Sequence, residues 1–275
     1  MRFVSVGECV VELTGGRRGG YQFGLAGQVR DMAILMRGRL GPEWSVDLFT
    51  ALGDDHHSQL IIDGLRGQRI GIGSILKIAG RNVGLVMREG SESKTIASWR
   101  GQAAARWMAD DVDLLARAFD GADVIFVSGA AFAILMPRGR GRLLKALHRA
   151  RLAGTRIALA PHEWPELWTS LRVMGSAVNS ISMVADIILT SLAAEKSLYG
   201  DATPEAVAAR YAEWGATEIF IRLAPDRAFV GGDATVGPFT LDPSSQVDGV
   251  GAAYLAARTQ TASITEAVAA ISGAR

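Results

Sequence analysis

The stretch Asp123-Val-Ile-Phe-Val-Ser-Gly129 is a run of apolar, mostly β-branched residues that ends at a glycine. Two later stretches have the same character: Arg156-Ile-Ala-Leu-Ala160 ends before Pro161, and Asp186-Ile-Ile-Leu-Thr190 ends before Ser191. None of the three alternates apolar with polar side chains, so each is expected to be buried on both faces. This pattern is typical of interior strands in a parallel sheet that is covered by helices.

The same pattern continues outward along the chain. Similar apolar runs occupy residues 3–6, 46–52 and 218–222. Segments with a helical spacing of apolar residues lie between these runs, at 58–65, 111–119, 142–152, 173–183, 204–214 and 264–271. Strands that alternate with helices predict an α/β fold, with a doubly wound, mostly parallel sheet and helices on both of its faces.

One region departs from this alternation. Residues 72–100 predict three short strands without helices between them, at 74–78, 83–88 and 95–99, and residues 90–93 predict a hairpin turn. The glycine pairs at 15–16 and 19–20 indicate a second hairpin. We therefore predict one domain over residues 1–275, with a small β-strand lid drawn from residues 9–24 and 72–100.

The composition excludes several classes of protein. The 275 residues include 29 Lys and Arg against 28 Asp and Glu, a net charge of +1, so neither nucleic acid nor an anionic membrane is an expected partner. Cys9 is the only cysteine, which excludes an intramolecular disulfide. No apolar run reaches the roughly 18 residues of a membrane span. No signal peptide is recognisable, so a cytoplasmic protein is expected.

Several blocks of the sequence, taken in order, resemble one known family. The block from Val4 to Leu13 is similar to the opening strand of the ribokinase-like (pfkB) carbohydrate kinases, and Leu40 to Asp55 is similar to their second block. Val83-Gly-Leu-Val and Ser98-Trp-Arg100 are similar to the lid of the 2-keto-3-deoxygluconate kinase branch. The block from Ala253 to Arg258 extends the resemblance over nearly the whole chain.

The resemblance implies a ribokinase-like fold and a phosphotransferase activity. Such kinases transfer the γ-phosphoryl group of ATP to a hydroxyl of a sugar or sugar acid, so ATP and Mg²⁺ are the implied cofactors. An Asp takes the hydroxyl proton, backbone N–H groups of a glycine-rich loop hold the developing charge, and polar residues on the first helix and the lid hold the sugar. A homo-oligomer is also implied, because lid-mediated dimers are common in the family.

The family's catalytic loop reads roughly Asp-Thr-x-Gly-Ala-Gly-Asp and corresponds here to Asp248-Gly-Val-Gly-Ala-Ala-Tyr254. Read without a gap, Tyr254 takes the position of the base; read from the downstream match, the loop and its Asp are missing. The catalytic candidates are Asp248, Gly249, Gly251 and Tyr254. Tyrosine is a poor base because its ordinary pKa is about 10. The two glycines also fit an ordinary turn before a helix.

Candidates for sugar binding come from three places. Gly27, Gln28 and Asp31 occupy the family's Gly-Asp-x-x-Asn stretch on the first helix. Arg100 on the lid could pair with a substrate carboxylate through two hydrogen bonds, or be a solvated surface charge. His162 lies where relatives carry Asp-Pro-Asn after a strand, and it also fits a hydrogen-bonded loop residue.

Candidates for nucleotide binding follow the later strands. Relatives carry an Asn or Thr and a nearby acid after the strand that ends here at Thr190, which makes Ser191 and Glu195 the candidates. Arg222 keeps the positive charge of the family's Lys-x-Gly-x-x-Gly stretch, although both glycines are absent. No protein side chains are predicted as metal ligands.

Three hypotheses follow for the function. The first is an ATP-dependent kinase of a 2-keto-3-deoxygluconate-type sugar acid with an altered catalytic loop. The second is a non-catalytic relative that binds a sugar or a nucleotide, or that regulates a partner. The third is an inactive variant that retains only the fold. Loss of an acid–base group removes about 10²–10⁴ of rate, so turnover measurements separate the first hypothesis from the others.

Overall fold

The computed structural model describes residues 1–16, 19–89, 94–161, 165–242, 249–261 and 263–273. Its largest element is a nine-stranded sheet with, in chain order, β1 (Arg2–Val6), β4 (Ser45–Leu52), β5 (Ile75–Lys77), β8 (Val124–Ser128), β9 (Arg156–Ala160), β10 (Ile187–Ser191), β11 (Glu218–Ala224), β12 (Arg227–Gly232) and β13 (Val236–Thr240). The spatial order is β13-β12-β11-β10-β9-β8-β1-β4-β5. Neighbours from β5 to β11 are parallel, whereas β12 and β13 add an antiparallel edge.

The strands of this sheet are buried on both faces. In β8, Val124 and Phe126 pack into one hydrophobic cluster, and Ile125 and Val127 pack into the cluster on the other side. Neighbouring side chains on a strand point to opposite faces, so a strand covered on both sides must be apolar throughout. The predicted α/β class, with a mostly parallel sheet between helices, is therefore confirmed.

Ten helices are present in the described residues: α1 (Gln28–Arg39), α2 (His56–Gly67), α3 (Val112–Phe119), α4 (Gly129–Ile134), α5 (Pro137–Leu152), α6 (Leu171–Ser182), α7 (Leu192–Tyr199), α8 (Pro204–Glu213), α9 (Val250–Gln260) and α10 (Ile264–Ile271). Seven of them begin after a side chain that caps the first turn. The Thr203 hydroxyl accepts a hydrogen bond from the backbone N–H of Ala206, and Pro204 opens α8 with a preset φ. None of these described helices has both the length and the apolar character that crossing a membrane requires.

A separate four-stranded sheet forms the lid over the carboxyl end of the large sheet. Its strands are β2 (Val10–Gly15), β3 (Tyr21–Ala26), β6 (Gly84–Glu89) and β7 (Lys94–Trp99), in the order β3-β2-β6-β7. Strands β2 and β6 are parallel, and the two outer strands are antiparallel to them. The lid thus joins two segments that lie far apart in the chain, 10–26 and 84–99.

Two local predictions differ from the structure. Residues 74–78 were expected in the lid, but Ile75–Lys77 forms an edge strand of the large sheet beside β4. Within this strand, Ile75 and Leu76 pack against hydrophobic clusters on opposite faces of the sheet, as side chains of the other strands do. The hairpin of β12 and β13 was not predicted, because β13 is largely exposed and contains Pro238, a residue found at sheet edges.

Candidate functional site

A cavity of about 750 Å³ lies between the lid and the carboxyl ends of β9, β10 and β11. Its walls come from the first turns of α1, the lid strands β2 and β6, and the first turn of α9. Ligands of open α/β sheets bind at this edge, where loops and helix starts converge. The cavity is lined by predicted residues of the sugar-binding, nucleotide-binding and catalytic groups: Gly27, Gln28, Asp31, Ser191, Arg222 and Gly251.

The sugar side of the cavity is built on the start of α1. Gly27 precedes the helix with φ of 132°, and a Cβ there would lie 2.6 Å from the carbonyl oxygen of Glu8. Only glycine fits that position without strain. Gln28 Oε1 is buried and has no hydrogen-bond partner in the described part of the chain. An amide oxygen left in this state is suited to accept a hydrogen bond from a sugar hydroxyl.

Charged groups on the same wall form ion pairs. The Arg30 guanidinium donates to Asp31 Oδ1 at 2.8 Å. On the lid, Arg88 Nε lies 2.7 Å from Glu12 Oε2, and both residues line the cavity. The cavity therefore presents both positive and negative side chains to a ligand. These groups come from the lid as well as from helix α1.

Glu12, Arg30, Arg88 and Thr190 line the cavity but were absent from the sequence-based candidates. The sequence did contain a signal for Glu12. In residues 10–14, Val-Val-Glu-Leu-Thr, the polar Glu12 and Thr14 are separated by the apolar Leu13. In a strand this alternation places Glu12 on the opposite face to Val11. Arg88 carried no comparable signal, because β6 pairs with a strand more than 70 positions earlier in the chain.

The nucleotide side holds Ser191 and Arg222 but not Glu195. Ser191 caps α7, accepting a hydrogen bond from the backbone N–H of Ala194, and lines the cavity together with Arg222. Glu195 is fully buried. Its carboxylate accepts hydrogen bonds from the Thr190 hydroxyl at 2.6 Å and from the Tyr211 hydroxyl at 2.9 Å. Glu195 therefore supports the cavity wall from behind, and in this arrangement it cannot contact a nucleotide.

Arg100 also lies away from the cavity. Its side chain is 4% exposed and forms a buried ion pair with Glu8, whose side chain is 1% exposed. Arg100 Nε donates to Glu8 Oε2 at 2.7 Å, and Nη2 donates to the same oxygen. Burial raises the pKa of Glu8, although the Arg100 charge opposes this shift. The expectation that Arg100 binds a substrate carboxylate does not fit this arrangement, because its charge already pairs with Glu8, which lies between β1 and β2.

The segment compared above with the family's catalytic loop leads into α9. Gly249 directly precedes the helix, and Gly251 lines the cavity within its first turn. Tyr254 lies one turn further along and is fully buried. Its hydroxyl donates to Glu218 Oε1 at 2.6 Å, and its ring packs on Phe220.

Tyr254 cannot act as the base in this position. Burial, together with the negative charge of Glu218, holds the pKa of its hydroxyl above the ordinary value, and the side chain does not reach the cavity. The expectation that Tyr254 takes the position of the base does not fit this arrangement. Asp248 and His162 lie outside the described residues.

The cavity offers groups that suit the phosphates of a nucleotide. Arg222 supplies a positive charge, and the first turn of α9, which lines the cavity, offers backbone N–H groups of the kind that bind phosphate. The described residues contain no cluster of three or more potential metal ligands.

Comparisons with known proteins agree with this architecture. A model of the pfkB family carbohydrate kinases matches residues 5–270. The 2-dehydro-3-deoxygluconokinase of Escherichia coli is 25% identical over 95% of this chain and 89% of its own, and that of Dickeya dadantii is 26% identical over 82% and 74%.

Solved structures share the fold at lower identity. A PfkB protein from Polaromonas superposes with a TM-score of 0.86 at 23% identity, covering 98% of this chain and 92% of its own. The aminoimidazole riboside kinase from Salmonella enterica, solved with aminoimidazole riboside and an ATP analogue, superposes with a TM-score of 0.80 at 14% identity over 98% and 90%. On the extent of the family match, this chain belongs to the pfkB family of carbohydrate kinases.

Proposed function

We propose that this protein transfers the γ-phosphoryl group of ATP to a hydroxyl of a 2-keto-3-deoxygluconate-type sugar acid. The observation that carries the proposal is the single cavity that joins Gln28 and Asp31 to Ser191 and Arg222. Phosphoryl transfer needs its two substrates held in line within one site, and this cavity brings both groups of residues together beneath the lid. The full-length similarity to 2-dehydro-3-deoxygluconokinases supports the choice of substrate class.

Each wall of the cavity has a role in this proposal. Gln28 and Asp31 orient the sugar through hydrogen bonds to its hydroxyls. Arg222 and the backbone N–H groups at the start of α9 hold the negative charge of the phosphates. Mg²⁺ bound with ATP supplies further charge neutralisation. Asp248 is the carboxylate nearest to the start of α9 in the sequence and is proposed as the proton acceptor.

The test is a turnover assay with ATP, Mg²⁺ and 2-keto-3-deoxygluconate, in which mass spectrometry identifies the phosphorylated sugar acid. We expect product from the unchanged protein and a rate reduced by about 10²–10⁴ in Asp248→Asn. The matched control is Asp242→Asn, which changes a carboxylate in the same chain segment that does not line the cavity. Unchanged turnover in Asp248→Asn would exclude Asp248 as the base.

A second candidate function is binding without catalysis. It is favoured by the start of α9, where the described residues 249–254 contain no carboxylate and Tyr254 is committed to Glu218. A binding protein of this kind would gain thermal stability with the sugar acid or with ATP and Mg²⁺ but form no product. Absence of both turnover and stabilisation would leave the inactive-variant hypothesis.

A further inference from the structure

A second cavity, of about 940 Å³, lies at the opposite edge of the large sheet from the candidate functional site. It is bordered by residues at the amino-terminal ends of the strands: Trp44 before β4, Asp123 before β8 and Arg156 at the start of β9. The ends of α3 and α5 complete its walls. Strand β9 links the two cavities, since Arg156 lines this one and Ala160 lines the other.

Positive charge predominates in this second cavity. Five basic side chains line it, against two acidic ones: Arg117, Arg142, Lys145, Arg149 and Arg156 against Asp120 and Asp123. Three of them lie along one face of α5, because positions 142, 145 and 149 are about one helical turn apart. A concave surface with an excess of one sign of charge and with apolar residues at its base concentrates the electrostatic potential.

Much of this charge has no ion-pair partner among the residues that the structure describes. Arg142 pairs with Asp110 at 2.6 Å. By contrast, residues within the described ranges provide no ion-pair partner for Arg117, Lys145 or Arg149. One acid in the cavity is already engaged, because Asp123 Oδ2 accepts a hydrogen bond from the backbone N–H of Arg2 at 2.6 Å.

Stabilisation of helix ends explains only part of the pattern. Arg117 and Arg149 lie in the last turns of α3 and α5, where positive charge is favourable. Lys145 lies about two turns before the end of α5, beyond the reach of that effect. Arg156 is on a strand, where burial and the neighbouring Arg258 lower its pKa while Glu218, Asp186 and Asp123 raise it.

We propose that this second cavity binds a small polyanion of the phosphate-ester or polycarboxylate type, at a site separate from the candidate functional cavity. Lys145 and Arg149 on α5 and Arg117 on α3 would contact the ligand from two sides, with Arg156 at the base. The apolar residues between them, Leu115, Phe119 and Ala150, would exclude water around the charged groups.

The test is isothermal titration of the whole protein with inorganic pyrophosphate and, separately, with citrate, both without Mg²⁺. We expect Lys145→Glu combined with Arg149→Glu to weaken binding at least about tenfold, and Asp120→Asn to strengthen it. Arg138→Glu is the matched control, because it reverses an exposed charge on α5 that does not line the cavity. Thermal melts without ligand check that each variant is folded.

The two probes distinguish the possible ligands, and tighter binding of either one supports the proposal for that chemical class. Absence of binding by both probes at low ionic strength would overturn it. Binding that survives the paired charge reversal but is lost in Arg222→Gln would also overturn it, because the anion would then occupy the candidate functional cavity.

Discussion

The carboxylate of Asp55 connects the start of α2 with the base of the lid. It accepts hydrogen bonds from the backbone N–H groups of His57 at 3.0 Å and Ser58 at 3.1 Å, which caps the helix. It also accepts from the backbone N–H of Val83 at 3.1 Å, directly before β6. Partial burial alone would raise the pKa of Asp55, but these bonds and the Ser58 hydroxyl lower it.

We therefore expect Asp55→Ala to lower the free energy of unfolding by about 2 kcal/mol at neutral pH. Because the pKa of Asp55 is lower in the folded protein, its contribution is present above the unfolded value of 3.8 and is lost as pH falls through the folded value. Urea unfolding at neutral pH and at pH about 3 measures this, and the difference from the unchanged protein should shrink in acid.

The control for this substitution is Asp63→Ala, which removes an exposed ion pair on the same helix and should change stability by less than about 0.5 kcal/mol. An equal loss in both variants would contradict the role of Asp55.

The candidate site could be predicted only in part, and single residues show why. Gln28 and Ser191 were recognised through the family resemblance: Gln28 falls in the family's stretch on the first helix, and Ser191 follows the strand after which relatives carry an Asn or Thr. The position of the Arg100 side chain is set by its ion pair with Glu8, 92 positions earlier in the chain. No local sequence pattern predicts a pairing over that separation. Tyr254 was expected in the position of the base. It lies one turn beyond Gly251 on α9, and its side chain is in the core instead of in the cavity.

Predictions at the level of elements succeeded where burial alone decides the pattern. Strands such as β8 and β10 have apolar residues on both faces, so a short apolar run identified them without knowledge of their neighbours. Strand β5 was assigned to the lid, which is the wrong sheet. Its three residues would suit an edge strand of either sheet, and only the pairing with β4 shows that it belongs to the large sheet.

Helices α7 and α8 are joined beneath the cavity by a buried charge cluster. Arg210 on α8 pairs with Glu195 on α7 at 2.6 Å and with Asp201 between the helices at 2.6 Å. The Arg210 guanidinium also lies over the rings of Tyr199 and Trp214, at 3.9 and 4.7 Å from their centroids. The cluster holds Thr190, which lines the cavity, through the Glu195 carboxylate.

Glu195→Ala should lower the free energy of unfolding by about 3 kcal/mol, because it leaves Arg210 with one acidic partner fewer and the Tyr211 hydroxyl without its acceptor. Urea unfolding followed by circular dichroism measures this loss. Glu213→Ala, an exposed acid on α8, serves as the control and should change stability by less than about 0.5 kcal/mol. A loss below about 1 kcal/mol in Glu195→Ala would show that the cluster is not important for stability.

At the scale of the whole molecule, the lid has two different faces. One carries Glu12 and Arg88 and lines the candidate functional cavity. The pairing of β2 with β3 and of β6 with β7 places Phe23 opposite Leu13 and Leu85 opposite Trp99, on the other face. Phe23 is 51% exposed and Trp99 is 59% exposed. A contiguous apolar surface of this kind is typical of a protein interface.

We expect this apolar face of the lid to form a homo-oligomer, in which two copies bury Phe23 and Trp99 together. Phe23→Glu combined with Trp99→Glu should then reduce the mass of the particle in solution to that of one chain, since a charge in an apolar interface is costly to desolvate. Light scattering after size-exclusion chromatography measures the mass. Leu152→Glu adds a charge at another exposed apolar residue, at the end of α5, and should leave the mass unchanged. A single-chain mass for the unchanged protein at high concentration would contradict this assignment.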